Sequence, residues 1–435
     1  MDFITEMHMH SKYARACSEQ LTLENMAAAA QEKGIQIIAT GDFTHPEWFK
    51  EISGKLVEDR PGLFKVRGGA APTRFLLATE ICVSFSKNKS LKGNLPVFDK
   101  TGEVKRFHNC VMAPSVEVVG QINAAVAKFG NLSYDGRPTL NMSAAELVEL
   151  LRSIDKRIIT FPAHAYTPWF GVLGSFSGFD SIEEAYEDQA QHIYALETGL
   201  SSDPSMSWRI SGLDKYALVS GSDAHSLPKI GREATVFSME EKDLSYDAIV
   251  DAIRNKRLKS TIEFYPEEGK YHYDGHRKCN LSLSPEQAEK YHDVCPVCGK
   301  RLTLGVLHRV DELADREPGY VPRGAAPFVH AIPLLEVLAF ISKKTVYSAY
   351  VKDTYAKLIE RFGTEMNVLL KADVASLEEV DRNLGRAIEN IREERVTIKP
   401  GYDGVFGIID VLSDNGSGAP LVQGKQHGQK SMGDF

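Results

Sequence analysis

Six apolar, strand-like segments in the first 225 residues each carry or precede a side chain that can bind a metal ion. These side chains are His8 with His10, Asp42, Glu80, His164, Glu197 and Asp223 with His225. In a parallel β/α barrel the carboxyl ends of the strands meet at one face, and that face carries the active site. Carboxylates also follow surface strands by chance, but a series of six favours a barrel that binds metal at one face.

The segment Glu6-Met7-His8-Met9-His10 is the most informative of the six. Side chains alternate between the two faces of a β-strand, so His8 and His10 point the same way, together with Glu6. Two imidazoles at positions i and i+2 can hold one metal ion. Taken alone, the pair could equally be two ordinary surface histidines. A further candidate ligand is His108, which follows Lys105-Arg106-Phe107.

The spacing of these residues carries a resemblance to a known superfamily. Over about residues 1–265, His8-x-His10, Glu80, His108, His164 and Asp223-x-His225 resemble the motif series of the polymerase-and-histidinol-phosphatase (PHP) superfamily. The resemblance implies a distorted seven-stranded β/α barrel that uses two or three divalent metals (zinc, manganese or magnesium) to hydrolyse phosphoesters. The implied metal ligands are His8, His10, Asp42, Glu80, His108, His164, Asp223 and His225. Asp223, Glu80 and His10 are the expected catalytic residues, and the two carboxylates are suited to bridging two ions.

The chain departs from the superfamily pattern at three positions, which leaves a third metal site open. Glu6 stands where many members have Asp, and Asp42 follows Gly41 where many members have an Asp-His pair. Arg15 stands near a position where some members have His. As a cation, Arg15 could bind a phosphate oxygen, or it could form an ordinary salt bridge.

Length and composition are those of a globular protein with two to three domains. The chain has 435 residues, of which 43% are hydrophobic. Its net charge of −8 is weak evidence for or against nucleic-acid binding, because a local basic surface could still exist. The N-terminus lacks the basic and apolar regions of a signal peptide, and charged or Pro residues interrupt the longest apolar stretch. We therefore expect a cytoplasmic protein without a membrane partner, whose six cysteines are reduced thiols or metal ligands.

Helical patterns alternate with the strand-like runs in the first 265 residues. Periodicity predicts helices over 18–34, 115–130, 143–153 and 181–192, and Ser143-x-x-Glu146 is a capping box. A loop rich in Gly and aromatic residues, 166–180, follows His164 directly. Its Trp169 and Phe170 are candidates for contact with a base or sugar, although the loop could equally pack on itself.

A second metal signal lies in a predicted module over residues 266–318. His276 and Cys279 are separated by two residues, and after fifteen further residues Cys295 and Cys298 repeat that spacing. This is the spacing of a zinc ribbon, whose four protein ligands leave no open position, so the zinc would be structural. His272 or His292 could replace His276 as the fourth ligand.

Residues 319–412 are predicted to form a small helical domain, with helices over 346–362 and 376–393, and 413–435 a disordered tail. The tail ends with Gln429-x-x-Met432-x-x-Phe435. This pattern resembles the short peptides that dock on DNA sliding clamps, so the clamp is a candidate partner. The alternative is a plain disordered tail.

The combination of barrel, ribbon and helical domain resembles a group of DNA repair endonucleases within the PHP superfamily. Four stretches carry this resemblance: Glu197–Pro204, Gly221–Ser226, Lys270–Cys279 and Cys295–Gly299. It implies cleavage on the 5′ side of deaminated bases (uracil and hypoxanthine) and of abasic sites, with such DNA as the partner. Two alternatives stay open, namely a small-molecule phosphatase of the same superfamily and a non-enzymatic DNA-binding protein with a relic barrel.

Overall fold

Three groups of buried apolar side chains organise the computed structural model, which describes residues 1–86 and 104–413. The first core lies in the barrel. Its residues run along the chain from Phe3 to Ile253, and it also includes Val306 and Val310. The second lies among the C-terminal helices and includes Ala234 and Ile262 of the barrel sheet. The third is a small cluster in the ribbon. Because the cores share elements in this way, the exact boundaries 1–265, 266–318 and 319–412 stay predictions.

The barrel sheet is mixed. Its strands are Asp2–Glu6, Ile37–Ala39, Arg74–Ser86, Val104–Ala113, Ile159–Pro162, Ala234–Ser238 and Ser260–Glu263, with short additions at Leu56–Arg60, Leu63–Val66, Thr139–Leu140 and Phe328–His330. The strands Ala195–Glu197 and Ala217–Val219 form a separate parallel pair. The first three strands pair in parallel, which carries His8, Asp42 and Glu80 to one end of the sheet. The long strand Arg74–Ser86 then pairs antiparallel with Val104–Ala113. The predicted class, a distorted β/α barrel, is confirmed, with antiparallel pairs where a regular barrel would be parallel.

The predicted barrel helices are present, with bounds that differ from the predicted ones. The helices of the barrel are Leu23–Lys33, Pro46–Lys55, Val116–Val126, Ala144–Ile154, Ile182–Tyr186, Pro204–Ser207 and Tyr246–Arg254. The first begins at Leu23 because the Thr22 side chain accepts a hydrogen bond from the backbone N–H of Asn25. The predicted capping box at Ser143 is present. The segment predicted as a helix over 181–192 changes to a 3₁₀ helix after Tyr186.

The ribbon and the C-terminal unit follow the barrel. The ribbon contains strands Asp274–His276 and Leu281–Leu283 and helices Pro285–Glu289 and Val306–Leu313. The C-terminal helices are Leu334–Ser342, Ala349–Phe362, Glu365–Leu370, Val374–Glu378 and Arg382–Arg392, with strands Phe328–His330, Thr397–Lys399 and Ile408–Asp410. The helix predicted over 376–393 is two helices, because Asp381 caps the start of the second. Within residues 1–86 and 104–413 no helix is long and apolar enough to cross a membrane.

Candidate metal centre

The Glu80 carboxylate lies between two clusters of histidines. Its Oε1 is 2.6 Å from His108 Nδ1 and 3.0 Å from His164 Nε2. Its Oε2 is 3.3 Å from His10 Nε2. Two groups that could each hold an ion share Glu80: His8, His10, Glu80 and Asp223 form the first cluster, and Glu80, His108 and His164 form the second. A third group, His8, Cys110 and Glu197, lies on the other side of the His8 ring. Glu80 is therefore placed to bridge two ions, whereas Asp223 belongs only to the first cluster.

The first cluster contains buried polar atoms whose hydrogen-bonding capacity is unused within the described residues. They are His8 Nε2, His10 Nε2 and Asp223 Oδ1. His10 Nε2 lies 2.9 Å and His8 Nε2 3.7 Å from Asp223 Oδ1, without hydrogen-bond geometry. Leaving such atoms buried without partners is costly. Imidazole nitrogens and a carboxylate oxygen are suitable ligands for a zinc or manganese ion, so the residues fit a divalent metal.

Two carboxylates behind the first cluster fix the orientation of its imidazoles. Asp42 Oδ1 is 2.9 Å from His10 Nδ1, and its other oxygen accepts the Ser11 backbone N–H. Glu197 Oε2 is 2.9 Å from His8 Nδ1. With Nδ1–H directed at a carboxylate, each ring presents the lone pair of Nε2 to the cluster. Asp42, predicted from the superfamily pattern as a ligand, lies behind His10 and outside both clusters.

The acidic surroundings favour a bound cation. Burial lowers the pKa of His8, but Cys110, Glu197 and Glu80 raise it well above its usual value. Burial also lowers the pKa of His10, but Asp42, Asp223 and Glu80 together raise it well above its usual value. Without another cation the two rings would therefore take up protons. A metal ion that takes the place of these protons releases them on binding.

The second cluster has a different electrostatic character. Burial lowers the pKa of His108 to about 4, so its ring is neutral, as a metal ligand requires. Its Nδ1 is 3.2 Å from His164 Nε2. Phe170 stacks on the His108 ring with centroids 4.7 Å apart, which covers one side of this cluster.

Three of the predicted ligands adopt a left-handed backbone directly after their strands. Asp42, His164 and Asp223 have φ of 46°, 30° and 47°. This conformation is uncommon for residues other than glycine, and such strain concentrates at functional sites. Gly199 lets His164 take its place, because a Cβ at Gly199 would come within 2.5 Å of the His164 Cβ.

His225 and Glu6 lie beside the clusters without joining them. The His225 ring packs on His10 with centroids 4.7 Å apart, and its Nδ1 is 2.8 Å from the Asp223 carbonyl oxygen. Glu6 accepts hydrogen bonds from the backbone N–H groups of Ser222 and Gly231. It thereby anchors both ends of the loop that carries Asp223.

Sequence reasoning missed the roles of Glu197 and Arg137. Besides His8, Glu197 accepts the backbone N–H of His164 at 2.8 Å, so it holds a member of each cluster. Its position at a strand end was the available signal. Arg137 Nη1 lies 3.2 Å from Glu80 Oε2. Arg137 follows a turn, and no motif in the sequence pointed to it.

The three predicted substrate-binding residues differ in their positions. The Arg15 residue is exposed, and its backbone N–H donates to Asp135. Trp169 stacks on Phe176 of its own loop, with centroids 4.9 Å apart, and meets Tyr271 edge to face. Phe170, by contrast, packs on the His108 ring of the second cluster. The 166–180 loop thus packs partly on itself, which is one of the two interpretations that its sequence allowed.

The ribbon brings together the predicted zinc ligands His276, Cys279, Cys295 and Cys298. Their ligand atoms all lie within 4.8 Å of one another, and His276 Nδ1 is 3.4 Å from Cys298 Sγ. Neither His272 nor His292 belongs to this group. The set fits a closed tetrahedral zinc site with His276 as its fourth ligand. Gln429, Met432 and Phe435 of the tail lie outside the described residues.

Two family models match parts of the chain. One, described as PHP-associated, matches residues 208–258, and the other, described as the MJ0043 C-terminal domain, matches residues 333–395. The uncharacterized protein MJ0043 of Methanocaldococcus jannaschii is 31% identical over 254 residues, which cover 57% of this chain and 31% of that protein. This chain therefore spans about a third of the length of that relative. The uncharacterized protein YqxK of Bacillus subtilis is 28% identical over 410 residues, covering 90% of this chain and 93% of YqxK.

Solved structures match over nearly the whole chain. The lesion-specific endonuclease PfuEndoQ of Pyrococcus furiosus superposes with a TM-score of 0.81 at 29% identity, covering 95% of this chain and 98% of that one. Endonuclease Q in complex with a 27-mer duplex substrate that has an abasic lesion at the active site gives a TM-score of 0.80 at the same identity and coverage. The similarity therefore includes the ribbon and the C-terminal helices as well as the barrel.

Proposed function

We propose that this chain, which has the endonuclease Q fold of the PHP superfamily, is a metal-dependent DNA repair endonuclease. It would cut DNA on the 5′ side of deaminated bases (uracil and hypoxanthine) and of abasic sites. The observation that carries the proposal is the similarity to endonuclease Q over 95% of the chain, together with the two clusters that share Glu80. A small-molecule phosphatase would have no evident use for the ribbon and the C-terminal helices. A relic barrel would be expected to have lost ligands, whereas both clusters are complete.

Each part of the site has a defined task in this proposal. Glu80 and Asp223 supply the charge that binds the divalent ions, and His8, His10, His108 and His164 complete the two ligand sets. Ions in these positions supply a water of lowered pKa and neutralise phosphate oxygens. Asp42 and Glu197 keep the two rings of the first cluster in the required orientation. Zinc, manganese and magnesium are the candidate ions.

Lesion reading would require base extrusion. A deaminated base differs from a normal base at its Watson–Crick edge, which is hidden inside the duplex, and extrusion costs a few kcal/mol. Phe170 is the aromatic side chain best placed to contact a nucleotide near the second cluster, because it packs on His108. With 2-aminopurine beside the lesion, we expect a rise in fluorescence on binding. No rise would count against extrusion.

The experiment that tests the proposed activity compares several substrates. Purified protein with Mg²⁺, Mn²⁺ or Zn²⁺ is mixed with duplexes that contain uracil, hypoxanthine or an abasic site, with an intact duplex, and with a phosphate monoester. We expect one nick on the 5′ side of each lesion and an intact control duplex. Cleavage of the monoester alone would support the phosphatase alternative. Binding of DNA without hydrolysis of any substrate would support the relic-barrel alternative.

Clamp docking by the tail is a further part of the proposal and depends on the sequence alone. The Gln429, Met432 and Phe435 pattern would supply a polar contact and two apolar anchors. We expect an affinity in the micromolar range, about −8 kcal/mol or weaker. The test of clamp docking is calorimetry of a 420–435 peptide with the clamp of the source organism, with the Phe435→Ala peptide as the control. Equal heats from both peptides would leave the tail without this role.

A further inference from the structure

Arg137 places a guanidinium against the carboxylate that both metal clusters share. Its Nη1 lies 3.2 Å from Glu80 Oε2, on the oxygen that also faces His10. Burial lowers the pKa of Arg137, but the charges of Glu80 and Asp223 raise it by more, so the side chain stays a cation. The guanidinium therefore belongs to the same electrostatic environment as the ligands of the first cluster.

The segment that carries Arg137 is held rigidly. The backbone N–H of Gly136 donates to the Tyr13 carbonyl, and the Gly136 carbonyl accepts from the Thr44 hydroxyl. The Pro138 carbonyl accepts the backbone N–H of Cys82, which lies two residues after Glu80 on the same strand. A Cβ at Gly136 would come within 2.5 Å of the Asp42 carboxyl carbon, so only glycine allows this close approach. The fold thus positions Arg137 from both sides.

Support of Glu80 alone is a poor explanation for this cation. A positive charge beside a metal-binding carboxylate opposes the binding of a metal ion there. Arginine carries five N–H donors, and among the described residues Glu80 is the one side chain that accepts a hydrogen bond from the guanidinium. The Arg137 side chain keeps 23% of its surface exposed, so donors remain available at the open side of the site. A cation, metal ions and free donors together suit an anionic substrate group.

We propose that Arg137 binds a non-bridging oxygen of the scissile phosphodiester. The inference rests on the proposed function, since it requires that a phosphodiester is cleaved at the Glu80 clusters. Arginine recognises phosphate through paired N–H donors, and the interaction strengthens as negative charge builds up on the phosphoryl oxygens. Arg137 would thus fill the phosphate-binding role for which Arg15 was the candidate in the sequence.

The test compares Arg137→Gln and Arg137→Lys with Arg15→Gln and with Arg67→Gln, a change at an exposed arginine outside the site. Three quantities are measured: the single-turnover rate on a uracil duplex, the metal content of the protein, and the hydrolysis of bis(p-nitrophenyl) phosphate. We expect Arg137→Gln to lower both rates by about 100-fold or more while its metal content stays at the wild-type value. Arg137→Lys should recover part of the loss, because it keeps the charge but not the paired donors. Arg67→Gln should match the wild type.

Three results from the variants would overturn the assignment. Loss of metal together with activity in Arg137→Gln would mean that the residue serves the ligand set. Rates in Arg137→Gln within about threefold of wild type would remove it from the reaction. A large loss of rate in Arg15→Gln but not in Arg137→Gln would assign phosphate binding to Arg15.

A wild-type protein that hydrolyses the small diester but nicks no lesion would refute the DNA function, while the comparison of the arginine variants on the small diester would still test the role of Arg137. A wild-type protein that hydrolyses neither ester would refute both.

Discussion

Replacing Glu197 by Gln should weaken metal binding without removing a metal ligand. Glu197 Oε1 and Oε2 lie 3.1 and 2.9 Å from His8 Nδ1, and Oε2 also accepts the His164 backbone N–H at 2.8 Å. A glutamine can keep one oxygen at the Oε2 position, but its NH₂ group then stands where Oε1 was, about 3.1 Å from the Nδ1–H of His8, which is itself a donor. The variant thus loses the charge that makes the His8 ring a better ligand and introduces a clash between donors.

The size of the effect follows from these contacts. A carboxylate that accepts a hydrogen bond from a metal-binding imidazole typically contributes about 10- to 100-fold in metal affinity or activity. This factor corresponds to about 1.4–2.8 kcal/mol, a reasonable value for a charge-assisted hydrogen bond that becomes a neutral one. The side chain of Glu197 is buried, with 1% exposed, so solvent does not screen the change.

The assay is a competitive titration of the apoprotein with zinc or manganese against a fluorescent chelator, followed by nicking at limiting and saturating metal. Glu149→Gln, at an exposed position on the helix Ala144–Ile154, is the matched control. We expect Glu197→Gln to show weaker metal binding and a nicking defect that shrinks as metal is added. Affinity within about threefold of the control would refute the reasoning that Glu197 tunes His8.

Asp223→Asn should lower nicking by about 10³-fold or more while the fold is kept, because it removes a charge from the first cluster; near-normal turnover with unchanged metal content would contradict this. Cys295→Ser combined with Cys298→Ser should release one zinc and weaken DNA binding while the barrel keeps its metals. The check is the metal content of the variant. A 1–265 fragment without bound metal would contradict the idea that the barrel binds its metals independently of the ribbon. Burial raises the pKa of Glu263 to about 7, and burial together with the Glu263 charge raises that of Glu233 well above its usual value. Both acids therefore hold protons more tightly in the folded state, so the unfolding free energy is highest below about pH 4.5 and falls as the pH rises; for Glu263 the fall runs through about pH 7. Glu233→Gln should make this fall smaller, and chemical denaturation at several pH values, with Glu149→Gln as the control, should show no such change in the control.

The sequence alone identified the residues whose environment is set by their own strand. His8 and His10 lie on one face because side chains alternate along a strand. Glu80 and Asp223 reach the active end because the segments that precede them pair in parallel with a neighbouring strand. The ribbon ligands were predictable for a similar reason, since two residues three apart in a tight turn converge on one ion whatever surrounds them. These signals are local, because the spacing of residues within one strand or turn determines how their side chains are placed relative to one another.

The tertiary structure alone decided which side chains face each other across the barrel. Asp42 follows a strand as a ligand would, yet the turn that gives it a positive φ directs its oxygens to His10 Nδ1 and the Ser11 N–H. Arg137 lies 57 residues from Glu80 in the chain, and the contact exists because Gly136 permits close approach to Asp42. The periodicity and spacing of the sequence do not predict such a contact, because it depends on how separate segments pack and on which backbone hydrogen bonds hold them. The sequence thus determined the kind of site, and packing determined that Asp42 supports a metal-binding histidine and that Arg137 lies beside Glu80.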